Sequence, residues 1–107
     1  MDWWKTFGQL KGRTLKTLGR AEPFTIVAVN DQSIVVRPHS TNKERRVSRD
    51  EIESAFGELE QRGEMPFSNI RANKHSEANP AYVAALLATL PGVTTSTNPI
   101  RLRFKRN

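Results

Sequence analysis

Apolar positions along this chain follow two rhythms, one helical and one alternating. Trp3, Phe7 and Leu10 fall at i, i+4 and i+7, the stripe of a short amphipathic helix over residues 1–12, weakened by Gly8 and ended by Gly12. Residues 13–18 support two readings, because Thr14 and Thr17 favour a strand while the Leu15/Leu18 spacing favours a helix. Residues 19–23 read as a turn. Residues 24–29, Phe-Thr-Ile-Val-Ala-Val, form a strand signal. Asn30-Asp31-Gln32 turns the chain, and residues 33–37 return before Pro38 limits them. After Ser40-Thr41-Asn42, residues 43–47 predict a third strand. Short connections make sequential strands antiparallel neighbours, so residues 13–48 predict a small antiparallel sheet.

From Ser48 the rhythm becomes helical. Ser48 and Glu51 have capping-box spacing, and Ile52, Ala55, Phe56 and Leu59 form one apolar stripe ahead of Gly63. Asp50, Glu51 and Glu53 lie in the first turn, where the helix dipole favours them, so the acidic face has a structural explanation. Pro66 to Ile70 suggests a short second helix with Phe67 and Ile70 inward. Asn79 and Pro80 suit the start of a third helix, with Val83, Leu86, Leu87 and Leu90 on its apolar side and Pro91-Gly92 as its stop. Three helices therefore occupy residues 49–92. Residues 93–99 read as a polar loop or a weak strand.

The closing segment, residues 99–106, is strictly alternating. Ile100, Leu102 and Phe104 interleave with Arg101, Arg103 and Lys105, and Arg106 follows. A strand sends successive side chains to opposite faces, so one row is buried while three cations face outward. These elements predict a single α+β domain over residues 1–107, a small antiparallel β-sheet packed with a helical half. The last strand either joins that sheet or forms a wing beside the helices.

Charge sharpens the functional reading. The 107 residues carry a formal net charge of +6, unevenly placed. Residues 1–49 are net +6, residues 50–64 net −5 and residues 65–107 net +5, so two basic portions flank one acidic helix. With a pI near 10.3, this segregation points to a polyanion partner. The absence of cysteine excludes disulfides and thiolate metal sites and suits the cytoplasm. No signal peptide or long apolar run is present, so no membrane partner is expected.

From Ser48 onward the order helix, short helix, turn, helix, loop and strand resembles a winged helix-turn-helix domain over about residues 48–107. The resemblance rests on element order, with Ile52/Phe56/Leu59, Ile70 and Val83/Leu86/Leu87 as its core stripes. It implies DNA binding, with one helix in the major groove and the wing on the backbone. Residues 80–90 contain no Lys, Arg, Asn, Gln, Asp or Glu, the groups that read base edges. Phosphate contacts are therefore expected to dominate.

The expected function is non-enzymatic nucleic-acid binding, DNA ahead of RNA. The expected contacts are Arg101, Arg103, Lys105 and Arg106, followed by Arg45, Arg71 and Lys74. The alternative is a protein-interaction module, a homodimer, using Trp3, Trp4 and a smooth helical surface of Ala81, Ala85 and Ala88. A third class is a small metal-independent nuclease using His39, His75 and Tyr82 with the arginines. His39 and His75 are the only histidines and have no spaced carboxylate set, so no metal site is expected. No Gly-rich phosphate loop or dinucleotide fingerprint occurs, and no cofactor, catalytic residue or small-molecule ligand is expected.

Overall fold

The computed structural model describes residues 3–105 and is α+β. Arg106, which follows the C-terminal row of cations, lies outside the described residues.

The first described element is a 3-10 helix, Trp3–Leu10. With three residues per turn, positions i and i+3 eclipse, so Trp4 and Phe7 share the buried side while Trp3 and Leu10 are half-buried. The expected i, i+4, i+7 stripe is thus replaced by a tighter one. Ring packing holds this winding: Trp4 meets Phe7 edge-on at 5.2 Å between centroids. The Trp4 indole N–H also donates to the Asn30 carbonyl at 2.8 Å, fastening the segment to a sheet turn.

Four antiparallel strands follow in sequential order: β1 (Thr14–Lys16), β2 (Pro23–Val29), β3 (Ser33–Pro38) and β4 (Arg45–Ser48). The ambiguity at residues 13–18 resolves to a three-residue strand. Phe24, Ile26, Ile34, Val36 and Val47 form the sheet's fully buried row. A register shift between Ile26 and Ala28 bulges β2.

Helix α1 (Arg49–Arg62) opens with the capping box that the sequence predicts. The Glu51 amide donates to Ser48 Oγ at 3.1 Å, and the Ser48 amide donates to the Glu51 carboxylate at 2.8 Å. Gly63 closes the helix at φ +82°, where a side chain would be strained. Ile52, Ala55, Phe56 and Leu59 face the core.

The chain continues through β5 (Glu64–Pro66), α2 (Asn69–Ala72), α3 (Pro80–Leu87), β6 (Val93–Ser96) and β7 (Arg101–Phe104). The last strand does not join the first sheet. It is the centre of a second antiparallel sheet ordered β5-β7-β6. Residues 93–96 are therefore strand rather than loop, and a three-residue strand interrupts the predicted helical stretch.

Helix α3 ends at Leu87, short of the predicted Leu90. Because it is apolar on nearly all sides it is largely covered: Val83, Ala84, Leu86 and Leu87 are fully buried. Asn79 stands at its N-cap but makes no side-chain cap bond. Its amide nitrogen is directed elsewhere, donating to the Arg46 carbonyl at 3.2 Å and to Glu51 Oε1 at 3.3 Å.

Candidate nucleic-acid interface

The alternation of the C-terminal strand holds. Leu102 is fully buried, Phe104 packs on Phe56 at 5.2 Å, and Ile100 is half-buried. Arg103 and Lys105 are exposed and Arg101 is half-buried. β7 is flanked on both sides, so its cations do not guard an open edge. Two of them are engaged instead. Arg101 Nη2 lies 3.5 Å from Glu64 Oε1, and Arg103 Nε lies 3.3 Å from Glu64 Oε2. One β5 carboxylate therefore offsets much of the row that the sequence presents as purely basic.

Arg45 and Arg46 part company, as neighbours in a strand must. Arg45 stands opposite Val36, on the side of buried Val47, at the sheet's periphery. From there its Nη1 donates to the Ala78 carbonyl at 3.3 Å and to Asn79 Oδ1 at 3.5 Å. Arg46 is exposed and has no ion pair with Glu44 or with any other described acid.

Arg45 and Arg71 open onto one groove, which also takes in Arg20, a residue that no sequence pattern singles out. Arg20 comes from the turn between β1 and β2, Arg45 from β4 and Arg71 from α2. The groove has a volume of about 580 Å³. Tyr82 of α3, Phe67 of the corner before α2, and Ile100 supply its apolar wall. Tyr82 is itself held edge-on against Phe24 at 5.0 Å. Glu22 is the lone acid in the lining, and none of the three arginines forms an ion pair among the described residues. By contrast, Arg49 and Arg62 pair with Glu53 and Glu58 along α1. Lys74 is exposed just after α2, at φ +61°, and does not line the groove.

A polar network lies behind Arg45, which reaches it through Asn79. Ser76 Oγ donates to Glu51 Oε1 at 2.7 Å and accepts from the Asn79 amide at 3.1 Å. Burial pushes the Glu51 carboxyl up, but hydrogen bonds from Ser76, Ser48 and Asn79 outweigh it and hold the group below its ordinary value of 4.5. The same residues tie α1, the start of α3 and the Arg45–Arg46 segment together.

The residues of the nuclease reading each have their own partners. His39 meets Thr25 Oγ1 at 2.8 Å, Tyr82 packs on Phe24, and His75 lies between α1 and α2. The His75 ring joins Ser54 Oγ through Nδ1 and Glu58 Oε1 through Nε2, the latter at 2.8 Å. Ser54 sits mid-helix in α1. Asn69 and Asn73 also donate to Glu58, each at 2.7 Å, so this cluster fastens α2 onto α1.

The expected interface residues divide. Ala85 is buried at 4% exposure, because α3 is covered on that side, so it cannot belong to an exposed alanine face. Ala81 is half-buried in the groove and Ala88 half-buried at the helix end. Trp4 is in the core at 3% exposure, with the Arg49 guanidinium 5.0 Å from its ring centre. Trp3 is half-buried over Phe56 at 4.8 Å. No helix among the described residues is long and apolar enough to cross a membrane. No protein-family model matches the chain, and neither a curated protein nor a solved structure matches it.

Proposed function

We propose that this chain binds nucleic acid, DNA ahead of RNA, chiefly through phosphate contacts, and that about residues 48–107 act as a winged-helix-like module. The observation that carries the reading is the convergence on one groove of Arg20, Arg45 and Arg71, none of which forms an ion pair among the described residues. Guanidinium groups that are already placed and not ion-paired are suited to bidentate contact with phosphate. The module reading is supported by the order α1, β5, α2, α3, β6, β7 and by a β6–β7 hairpin that carries Arg101, Arg103 and Lys105. In this reading the groove is the principal contact and the hairpin an auxiliary one, because Glu64 already occupies two of its arginines.

The test is binding of labelled duplex and single-stranded DNA across a salt series. Wild type is compared with an Arg20→Ser/Arg71→Ser double variant and with an Arg101→Ser/Arg103→Ser/Lys105→Ser triple variant. Affinity falls steeply with salt, and each lost phosphate contact lowers the log–log slope by about 0.9 on duplex. The double variant loses more than the triple. Salt-insensitive binding, or none to either form at low salt, rejects the proposal.

A further inference from the structure

The groove is more than a row of cations. Its wall includes two aromatic rings, Phe67 and Tyr82, both half-buried and both beside an arginine-lined surface. A second cleft of about 370 Å³ shares Phe67, Arg71 and Ala81 with the first and continues toward Ser68 and Pro80. The two clefts adjoin across these shared residues and so offer a ligand one continuous channel. Ala81 keeps the α3 side of both clefts low, because its side chain is one methyl group.

A duplex backbone has no use for these rings, since its bases are stacked inward. An unpaired strand offers both complements at once, phosphates for the guanidinium groups and flat base faces for the aromatic rings. The side of α3 that meets the groove carries Ala81 and Tyr82, and neither reads a base edge in bidentate fashion. The Tyr82 hydroxyl has no hydrogen-bond partner among the described residues, although the ring itself is anchored on Phe24. An anchored ring loses little freedom when a base stacks on it.

Resting on the nucleic-acid reading above, we infer that this channel takes a single-stranded DNA segment, with at least one base against Tyr82 or Phe67 and its phosphates against Arg20, Arg45 and Arg71. The helix expected to enter a major groove would then serve as one wall of a single-strand channel. Preference among bases is weak, because stacking is available to every base.

The experiment compares three labelled probes at one salt concentration: an oligothymidylate, a duplex of the same length, and an abasic strand of the same length. Electrostatics alone favours the duplex, whose charge density is highest. The inference expects the oligothymidylate to bind tightest, by about tenfold over the abasic strand, as removal of base stacking predicts. Tyr82→Leu and Phe67→Leu lower affinity for the oligothymidylate by about tenfold each and leave the abasic strand unaffected, while Tyr82→Phe retains wild-type binding. Circular dichroism confirms that each variant is folded. If Tyr82→Leu does not fold, the three-probe comparison on wild type and Phe67→Leu decides. A duplex that binds as well as the oligothymidylate, an abasic strand that equals it, or folded variants that bind like wild type each overturn the inference while leaving nucleic-acid binding intact. Failure of all three probes at low salt overturns the nucleic-acid reading itself.

Discussion

Glu64 stands directly across from Arg103 in the β5–β7 pairing, and its two carboxylate oxygens divide between Arg103 at 3.3 Å and Arg101 at 3.5 Å. The strand that ends the chain is therefore a partly neutralised surface rather than a free row of cations. Its apolar side belongs to the core, and its polar side is held in register by a neighbour about forty residues away in sequence. The groove arginines have no such ion pair among the described residues.

Glu64→Gln should free Arg101 and Arg103 with little effect on folding. Arg103 and Glu64 are both substantially exposed, and ion pairs of that kind contribute roughly 0–1 kcal/mol. We expect the midpoint of urea unfolding to move little. Removing a negative charge from the hairpin should raise DNA affinity about two- to fivefold at low salt, with the gain vanishing at high salt. Unchanged affinity at low salt would remove the hairpin from the contact surface.

The Glu58 cluster predicts a specific acid sensitivity. Burial pushes the Glu58 carboxyl up, but bonds from His75, Asn73 and Asn69, with the charge of His75, more than reverse this and bring it from 4.5 to about 2. A carboxyl whose pKa is lower in the folded chain stabilises the fold fully above its unfolded value and loses that contribution as pH falls. The loss should therefore run from about pH 4.5 down to about pH 2. Glu58→Gln should be less stable at neutral pH and show a flatter decline across that window, while Glu51, also held low, keeps its own share. Urea unfolding at a series of pH values checks this, and parallel wild-type and variant curves would contradict it.

Two glycines should respond oppositely to alanine. Gly92 has φ +85°, and a Cβ there would lie 2.8 Å from the Lys105 carbonyl oxygen, where β7 leaves the sheet. Its own carbonyl accepts from the Lys105 amide at 2.9 Å, so the close approach is part of the sheet's closure. Gly92→Ala should cost about 1–3 kcal/mol. Gly57 lies within α1 with nothing near its missing Cβ and no positive φ. Gly57→Ala should stabilise by about 0.5–1 kcal/mol. Denaturant midpoints of the two variants should move in opposite directions.

The legible parts of this molecule are those set by local chemistry. Ser48 and Glu51 mark a helix start because the capping box closes within four residues, and Gly63 marks its end because a residue without Cβ settles at positive φ without strain. The alternation of Arg101 and Arg103 with Leu102 and Phe104 survives over β7 because strand geometry is local, while the predicted strand shortens and leaves Ile100 and Lys105 just outside it. What stayed hidden depends on distant partners. β5 is three residues long, includes Pro66, and exists through its pairing with β7. The groove joins a turn, a strand and two helical segments, so Arg20 carries no local mark of its role. Asn79 has the composition of an N-cap, yet its side chain is taken by Glu51 and the Arg46 carbonyl, a competition only the tertiary structure creates. The N-terminal stripe shifts because eight residues rich in aromatic rings wind as a 3-10 helix, which changes the period that the sequence pattern presumes.

Ala81 offers the sharpest separation of shape from charge. It lines both clefts, is half-buried, and lies in α3, where leucine is nearly as good a helix former as alanine. Ala81→Leu would project a branched side chain toward Phe67 and Arg71 and remove none of the arginines. Because Ala81 borders open space rather than packed core, overpacking strain should be small and the unfolding midpoint nearly unchanged. If phosphates merely touched an exposed basic surface, the variant would bind DNA as wild type does. If the ligand must enter the groove, affinity should fall by at least about tenfold, or about 1.4 kcal/mol, with the salt slope retained for whatever contacts remain. Anisotropy titrations at matched salt, paired with urea unfolding of the same preparation, separate the two outcomes.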